Sequence, residues 1–280
     1  TFTSNLFSRE GTVKSTKFSR LNFSQNTQYK PFKALTLKAK FSGSFMKTNS
    51  LGANGSNNRT IFLSSLIAPP DVPVWDETTN YYSGITAFRL ANPAGVISRN
   101  NFKGNMNMFL TNLSADLKIY KDLTFTSRFG YRYGIGLDST FSPEYFETSN
   151  IASGNNEISR RTSFFKDWTW ENMLTWNKTI GAHDFSVMGA MSARDFYSEN
   201  YFGNKKNLPS EMKEFRYFDA ASDANPTLTG AASSQGMLSY LGRVNYALFN
   251  RYLVTASFRA DGSSRFIGSK KWGYFPSFAL

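Results

Sequence analysis

Eight segments of this chain alternate apolar and polar side chains so regularly that each can be divided into two faces, and charge is sorted between those faces. Residues 35–45 set Leu35, Leu37, Ala39, Phe41 and Phe45 against Thr36, Lys38, Lys40, Ser42 and Ser44. Residues 107–119 set Phe109, Leu113, Ala115, Leu117 and Ile119 against Asn112, Ser114, Asp116 and Lys118. Segments 18–29, 123–133, 165–177, 185–193, 238–248 and 252–261 follow the same rule. The apolar faces carry no Lys, Arg, Asp or Glu. The polar faces carry Arg128, Arg132, Asp167, Glu171, Arg243, Arg259 and Asp261. A period of two is the mark of a β-strand.

Alternation also fits a half-buried sheet in water, so length decides the environment. The segments run longer than the five or six residues usual in soluble strands. They match the roughly 9–11 tilted residues that cross a membrane with apolar side chains toward lipid and polar ones toward a lumen. Aromatic residues gather near the segment ends: Tyr29, Trp176, Tyr246 and Tyr252 beside short links, Trp168, Tyr131 and Phe45 toward long ones. Such rings form the interfacial girdles of membrane barrels. Composition agrees, with 27 Phe and 14 Tyr at a polar mean hydropathy of −0.40.

Connection lengths alternate too. Short links are expected at Lys30–Ala34, Tyr120–Asp122, Thr179–Ala182 and Phe249–Arg251. Long loops are expected at Met46–Met106, Gly134–Ser163 and Tyr197–Gln235, with a shorter one at Gly262–Lys271. Short turns on one side and long loops on the other are the asymmetry of an outer-membrane barrel, the long side being extracellular. Thr1–Phe7 reads as the end of an earlier strand and Trp272–Leu280 as the start of a later one. The expectation is an all-β, antiparallel, up-and-down transmembrane β-barrel segment of about eight complete strands and two partial ones, cut from a longer wall. The absence of a signal peptide before Thr1 is read the same way. Stretches such as Leu51–Asn58 and Ala68–Pro73 are rich in Asn, Ser, Gly and Pro and are expected to be irregular. Trp75, Tyr81, Tyr82, Tyr145 and Phe146 fall in the long loops as candidate contacts for substrate or partner, or as rings on which each loop packs.

Several function classes fall away. No run of 18 apolar residues exists, so no helix crosses a membrane. The net charge of +12 comes without a basic cluster or a recognition motif, which argues against nucleic acid. Zero cysteines exclude a thiolate metal site, and the single histidine, His183, is expected to be a solvated residue beside a short turn. The glycines of residues 130–136 end a strand and open a loop, so they make no phosphate cradle. Asn58-Arg59-Thr60 matches a glycosylation acceptor, a pattern too frequent in this Asn-rich chain to inform. No catalytic constellation, metal site or cofactor site is expected, and the chain is read as a non-enzyme. The polar-face charges Lys38, Lys40, Lys118, Arg128, Arg132, Arg243 and Arg259 are expected to pair with Asp116, Asp167, Glu171 and Asp261 on neighbouring strands, rather than to attract an anionic solute or grip a plug. On the lipid face, Leu117→Arg and Val254→Arg are expected to block insertion, whereas Ser114→Arg on the lumenal face is expected to be tolerated. A passive porin or a soluble adhesive β-domain remain alternatives to active transport.

In its last third the chain resembles a known family. LSYLGRVNYALFNRYLVTASFRADGSSRF at Leu238–Phe266, followed by WGYFPSFAL at Trp272–Leu280, looks like the signature hairpin of the SusC/RagA family of TonB-linked outer-membrane proteins. FSREGTVKSTKFSRLNF at Phe7–Phe23 resembles an earlier hairpin, and APPDVPVWD at Ala68–Asp76 resembles the first long loops more loosely. The resemblance implies a 22-stranded barrel closed by a plug that this chain lacks. It also implies energy from a TonB complex, a SusD-like surface lipoprotein as lid, and import of glycans, oligosaccharides or peptides. It implies no catalytic residues.

Overall fold

The computed structural model describes residues 1–51, 56–85, 90–99 and 101–280. Its elements in chain order are β1 (Phe2–Glu10), β2 (Lys17–Phe32), β3 (Leu35–Ser50), α1 (Ser56–Ile67), β4 (Trp75–Asp76), β5 (Tyr81–Tyr82), α2 (Pro93–Arg99), β6 (Phe102–Tyr120), β7 (Leu123–Ser142), β8 (Tyr145–Thr148), β9 (Ile151–Ser153), β10 (Glu157–Ile180), β11 (His183–Lys206), β12 (Thr227–Leu248), β13 (Tyr252–Ser263) and β14 (Trp272–Ala279). Ten of the strands form one sheet in the order β1-β2-β3-β6-β7-β10-β11-β12-β13-β14. Every pair is antiparallel. The eight expected segments are β2, β3, β6, β7 and β10–β13, and the two partial ones are β1 and β14.

Register carries the face sorting from strand to strand. Ala39, Leu113, Phe129, Trp170, Ala193 and Leu238 lie in one row across six strands. Lys38, Ser114, Arg128, Glu171, Ser192 and Ser239 lie in the row beside it on the opposite face. Rings collect near the short turns, where Trp176 and Phe185 are 6.3 Å apart and Phe185 and Tyr246 5.0 Å. At the other end of the apolar face, Phe45 stacks on Phe23 at 6.2 Å and meets Phe109 edge-on at 5.7 Å.

The apolar face has sharp limits. On β10 it runs from Trp168 to Trp176, bounded on the same face by Lys166 and Lys178. The twelve residue steps from Lys166 to Lys178 span about 40 Å of strand, or about 28 Å of height at 45° of tilt, close to the apolar band of about 25 Å in outer-membrane barrels. On β3, three strands away, the change falls between Phe45 and Lys47, whereas the row through Trp168 crosses β3 at Phe41. A four-residue climb at about 3.3 Å each over three strand steps of about 4.8 Å gives a tilt of about 40–45°. Barrel strands tilt by about 35–45°.

The turns at the short-link end are tight. The β12–β13 turn has Phe249 and Asn250 both at positive φ, 54° and 52°, the pair of angles that matches hairpin twist. Gly181 at φ 59° does the same work between β10 and β11.

The other end departs from expectation. β7 continues to Ser142, β10 begins at Glu157, β11 continues to Lys206 and β12 begins at Thr227, so two of the long loops are shorter than expected. Beyond the lipid band neither face of a strand meets hydrocarbon, and the alternation that marks a strand is lost although the hydrogen-bonded ladder continues. The Met46–Met106 loop is also not irregular throughout: it holds α1, α2 and the β4–β5 hairpin. The irregular stretch expected at Leu51–Asn58 falls partly on residues 52–55, which lie outside the described residues, and α1 begins at Ser56.

Candidate functional site

The loop end of the wall carries two folded units. The first joins the β4–β5 hairpin, α2 and the β8–β9 hairpin around Asn92. Asn92 caps α2: its Oδ1 accepts the N–H groups of Ala94 at 2.9 Å and Gly95 at 3.4 Å, and Pro93 occupies the first helical position, where its missing N–H costs nothing. Its Nδ2 donates to the carbonyls of Val74 at 3.1 Å and Ser83 at 2.9 Å, which flank the β4–β5 hairpin. The backbone N–H of Asn92 donates to Glu147 of β8 at 2.6 Å. The other Glu147 oxygen accepts from Arg99, the last residue of α2. The Glu147 side chain is 1 % exposed, so its charge is taken up by these two donors instead of water. Gly95 is required here, since a Cβ would lie 2.4 Å from the Glu147 carboxylate.

The five loop aromatics meet on this unit. Trp75 and Tyr82 are cross-strand partners with rings 5.1 Å apart, edge to face. Tyr81 reaches Phe146 of the other hairpin at 6.3 Å. Tyr145 lies under the Arg99 guanidinium, 3.9 Å from its ring centre. The loops therefore pack on each other as well as on their own rings. Trp75, Tyr81 and Phe146 remain 44 %, 42 % and 43 % exposed. Asp76 holds the hairpin turn by accepting the N–H of Thr78 at 2.8 Å, and the Thr78 and Thr79 donors hold its carboxyl below the usual range.

The second unit is the loop of residues 207–226, which folds onto the apolar-side face of the extended strands. Phe141 and Ile158 are cross-strand partners on that face. With Leu208, Ala221 and Phe218 they form a small core. Arg216 lies 3.7 Å over the Phe141 ring. Asn156 closes the loop by donating to the Leu208 carbonyl at 3.1 Å and accepting its N–H at 2.6 Å. Contacts from Glu144 N–H to Glu211 at 2.8 Å and from Arg216 to Asn101 at 3.4 Å tie the two units together.

On the polar face the sheet encloses a hollow of about 890 Å³ lined by Gln28, Lys38, Lys40, Asn112, Arg128 and Glu171 among others. The expected pairing of charge holds for several groups. Lys38 meets Asp116 at 2.9 Å, and Asp167 receives Arg132 at 2.9 Å and both Nε and Nη2 of Arg194 at 2.9 and 3.0 Å. Arg259 pairs with Asp261 on its own strand at 2.8 Å. Arg128 faces Glu171 in register but forms no ion pair within 4 Å among the described residues. At the short-turn rim His183 is exposed, hydrogen-bonded to the Tyr246 hydroxyl at 2.7 Å and stacked on Phe185.

Asn92, Arg99, Glu147 and Arg216 were not singled out from sequence. Asn92-Pro93 matches a helix-start signal, a capping side chain followed by proline at the first helical position. Arg99 and Glu147 are 48 residues apart and carry no local sign of their pairing.

No family model matches the chain. Over 211 residues it is 31 % identical to the TonB-dependent receptor SusC of Bacteroides thetaiotaomicron, covering 74 % of this chain and 19 % of that protein. It is 25 % identical over 275 residues to the TonB-dependent receptor P39 of Formosa agariphila, covering 96 % of this chain and 25 % of the relative. The chain thus spans about a fifth to a quarter of the length of these relatives. Among solved structures, the RagAB peptide transporter superposes over 99 % of this chain and 32 % of its own, with a TM-score of 0.78 at 15 % identity. The ferric preacinetobactin receptor BauA of Acinetobacter baumannii covers 99 % of the chain with a TM-score of 0.53 at 10 % identity. At such identities the structures speak for the fold.

Proposed function

Since the chain is a SusC/RagA-like stretch of TonB-dependent receptor barrel, resident in the outer membrane of a Gram-negative bacterium, we propose that the protein it belongs to is an active importer of a nutrient, a glycan, oligosaccharide or peptide. Residues 1–280 supply part of one barrel domain, with the plug and the other strands elsewhere in the protein. A SusD-like surface lipoprotein covers the loop end, and the TonB complex supplies energy through the plug. The observation that carries this reading is the register-locked sorting of faces, together with a loop end folded into definite units. Edge strands β1 and β14 each pair on one side only among the described residues. Open edges are not tolerated in lipid, so both meet further wall strands. Trp75, Tyr81 and Phe146 offer exposed rings to substrate or lid, with Tyr82 and Tyr145 supporting them. No catalytic step is proposed.

Uptake by cells deleted for the gene, and by the complemented strain, tests the proposal with labelled oligosaccharides and peptides. The reading expects uptake of one class to vanish on deletion and to stop when a protonophore collapses the inner-membrane gradient. Uptake that survives the protonophore and rises linearly with concentration would make the protein a passive porin.

A further inference from the structure

Directly above the apolar band, the lipid-side face of β2, β3 and β6 carries Lys17, Lys47 and Lys103. Their shared face follows from register. Lys17 and Lys103 both lie opposite Asn49 of β3, and Lys47 precedes Asn49 by two residues on that strand. Lys47 is therefore the diagonal neighbour of each, at a Cα spacing of about 7–8 Å. Lys17 and Lys103 are two strand steps apart, about 10 Å. Beneath this triangle lie Leu21 and Phe45, themselves cross-strand partners, and the Phe23–Phe45–Phe109 ring cluster. All three lysines are exposed. Lys17 has Glu10 at 3.2 Å, an ion pair open to water; among the described residues Lys47 and Lys103 form no ion pair.

We infer that Lys17, Lys47 and Lys103 form a binding site for the phosphorylated headgroup of an outer-leaflet glycolipid. The site is continuous with the lipid-facing surface: on β3 that face passes from Leu37 through Phe41 and Phe45 to Lys47, and on β6 from Leu113 and Phe109 through Asn107 and Asn105 to Lys103. A lipid whose acyl chains lie along Leu37, Phe41 and Leu113 places its headgroup at this height. Ammonium groups on flexible stems reach toward phosphate while their methylenes stay on the apolar surface. With Glu10 counted, the triangle holds a surplus of two positive charges, matched to one phosphate dianion. Asn49 and Asn105 stand between the lysines on that face and offer hydrogen bonds to sugar hydroxyls. The inference rests on the wall placement and not on what is transported.

The test uses the full-length protein, purified in detergent and examined by native mass spectrometry with a bisphosphorylated diglucosamine lipid and its dephosphorylated form. Heat-modifiable electrophoretic mobility confirms a folded barrel for each variant, so failure of the site leaves the wall assignment standing. The unsubstituted protein is expected to bind the phosphorylated lipid at least about ten-fold more tightly than the dephosphorylated one. The double variant Lys47→Gln, Lys103→Gln loses that preference, Lys118→Gln on the lumenal face keeps it, and 10 mM inorganic phosphate does not displace the lipid. Equal binding of the two lipids by the unsubstituted protein overturns the inference. So does an undiminished preference in the double variant, and displacement by inorganic phosphate would assign the lysines to free phosphate instead.

Discussion

The Glu147 carboxylate accepts the backbone N–H of Asn92 at 2.6 Å, across 55 residues of chain. With Arg99 on its other oxygen, it is where the two hairpins and α2 are joined. Glu147→Ala would leave the Arg99 guanidinium, 15 % exposed, without its partner, a loss of about 3–5 kcal/mol for a buried pair. The expected outcome is local: limited proteolysis cuts within residues 68–153 at least about ten-fold faster while the barrel keeps its heat-modifiable mobility. Unchanged cleavage would show that the hairpins hold without this carboxylate.

Arginine substitutions separate the two faces, and register refines where they belong. Val254 lies in the row of Tyr246, Phe185 and Lys178, and strand tilt lifts that row by about four residues over three strands, into the apolar band of β13, so Val254→Arg is expected to cost about 2 kcal/mol. Leu113, in the middle of the band on β6, is the better site, with about 2–4 kcal/mol expected for Leu113→Arg. Ser114 is a poor lumenal control, because its cross-strand partners are Lys38 and Arg128. Ser192→Arg faces Glu171 and is expected to fold normally. Folding titrations into lipid vesicles in urea measure all three.

Asp167 binds two arginines at once. Asp167→Ala leaves Arg132 and Arg194 repelling each other, whereas Arg132→Ala leaves the paired contact to Arg194. A double-mutant cycle on Asp167 and Arg194 is expected to give a coupling of about 1 kcal/mol, reduced from a buried value because Arg194 is 46 % exposed. A coupling of zero would mean that solvent screens the pair completely.

Two loop aspartates make the loop end acid-sensitive. Asp76 is held below the usual range first by the Thr78 N–H. Asp223 is held below it by the N–H groups of Asn225 and Lys206. A carboxyl whose pKa is lower folded than unfolded contributes stability above the unfolded value, about 3.9, and loses it as pH falls through the folded one. Hydrogen exchange at Thr78 and Asn225 is therefore expected to stay protected from pH 7 to about 4.5 and to open below about pH 4. Asp76→Asn and Asp223→Asn keep an acceptor without the charge and should flatten that dependence.

What the sequence disclosed follows from which faces touch lipid. Between Trp168 and Trp176 one face meets hydrocarbon and the other meets water, so alternation betrays both strand and orientation. Eight segments, both flanking strands and the short turns were legible on that ground. Above Lys166 the same strand runs on through Phe164 to Glu157 outside the lipid band, with a loop covering Ile158 on one face, and its sequence has no period to read. The folded loops were harder for another reason. Trp75, Tyr81, Tyr82, Tyr145 and Phe146 stood out by type, but the Glu147–Arg99 pair that gathers them is made across distance. α1 has no strongly amphipathic pattern to announce it.

The most direct test of the wall assignment is a spin-label scan of β10. This chain has no cysteine, so single cysteines placed at each position from Lys166 to Lys178 report without interference from it. In the full-length protein, reconstituted in lipid, collision with oxygen and with a water-soluble nickel chelate is measured at every site. The account predicts a two-residue period: labels at 168, 170, 172, 174 and 176 favour oxygen, most strongly near 172, and labels at 167, 169, 171, 173 and 175 do not. Nickel-dominated collision on both faces, or a profile with no period of two, would contradict it and leave the strands as a sheet in water.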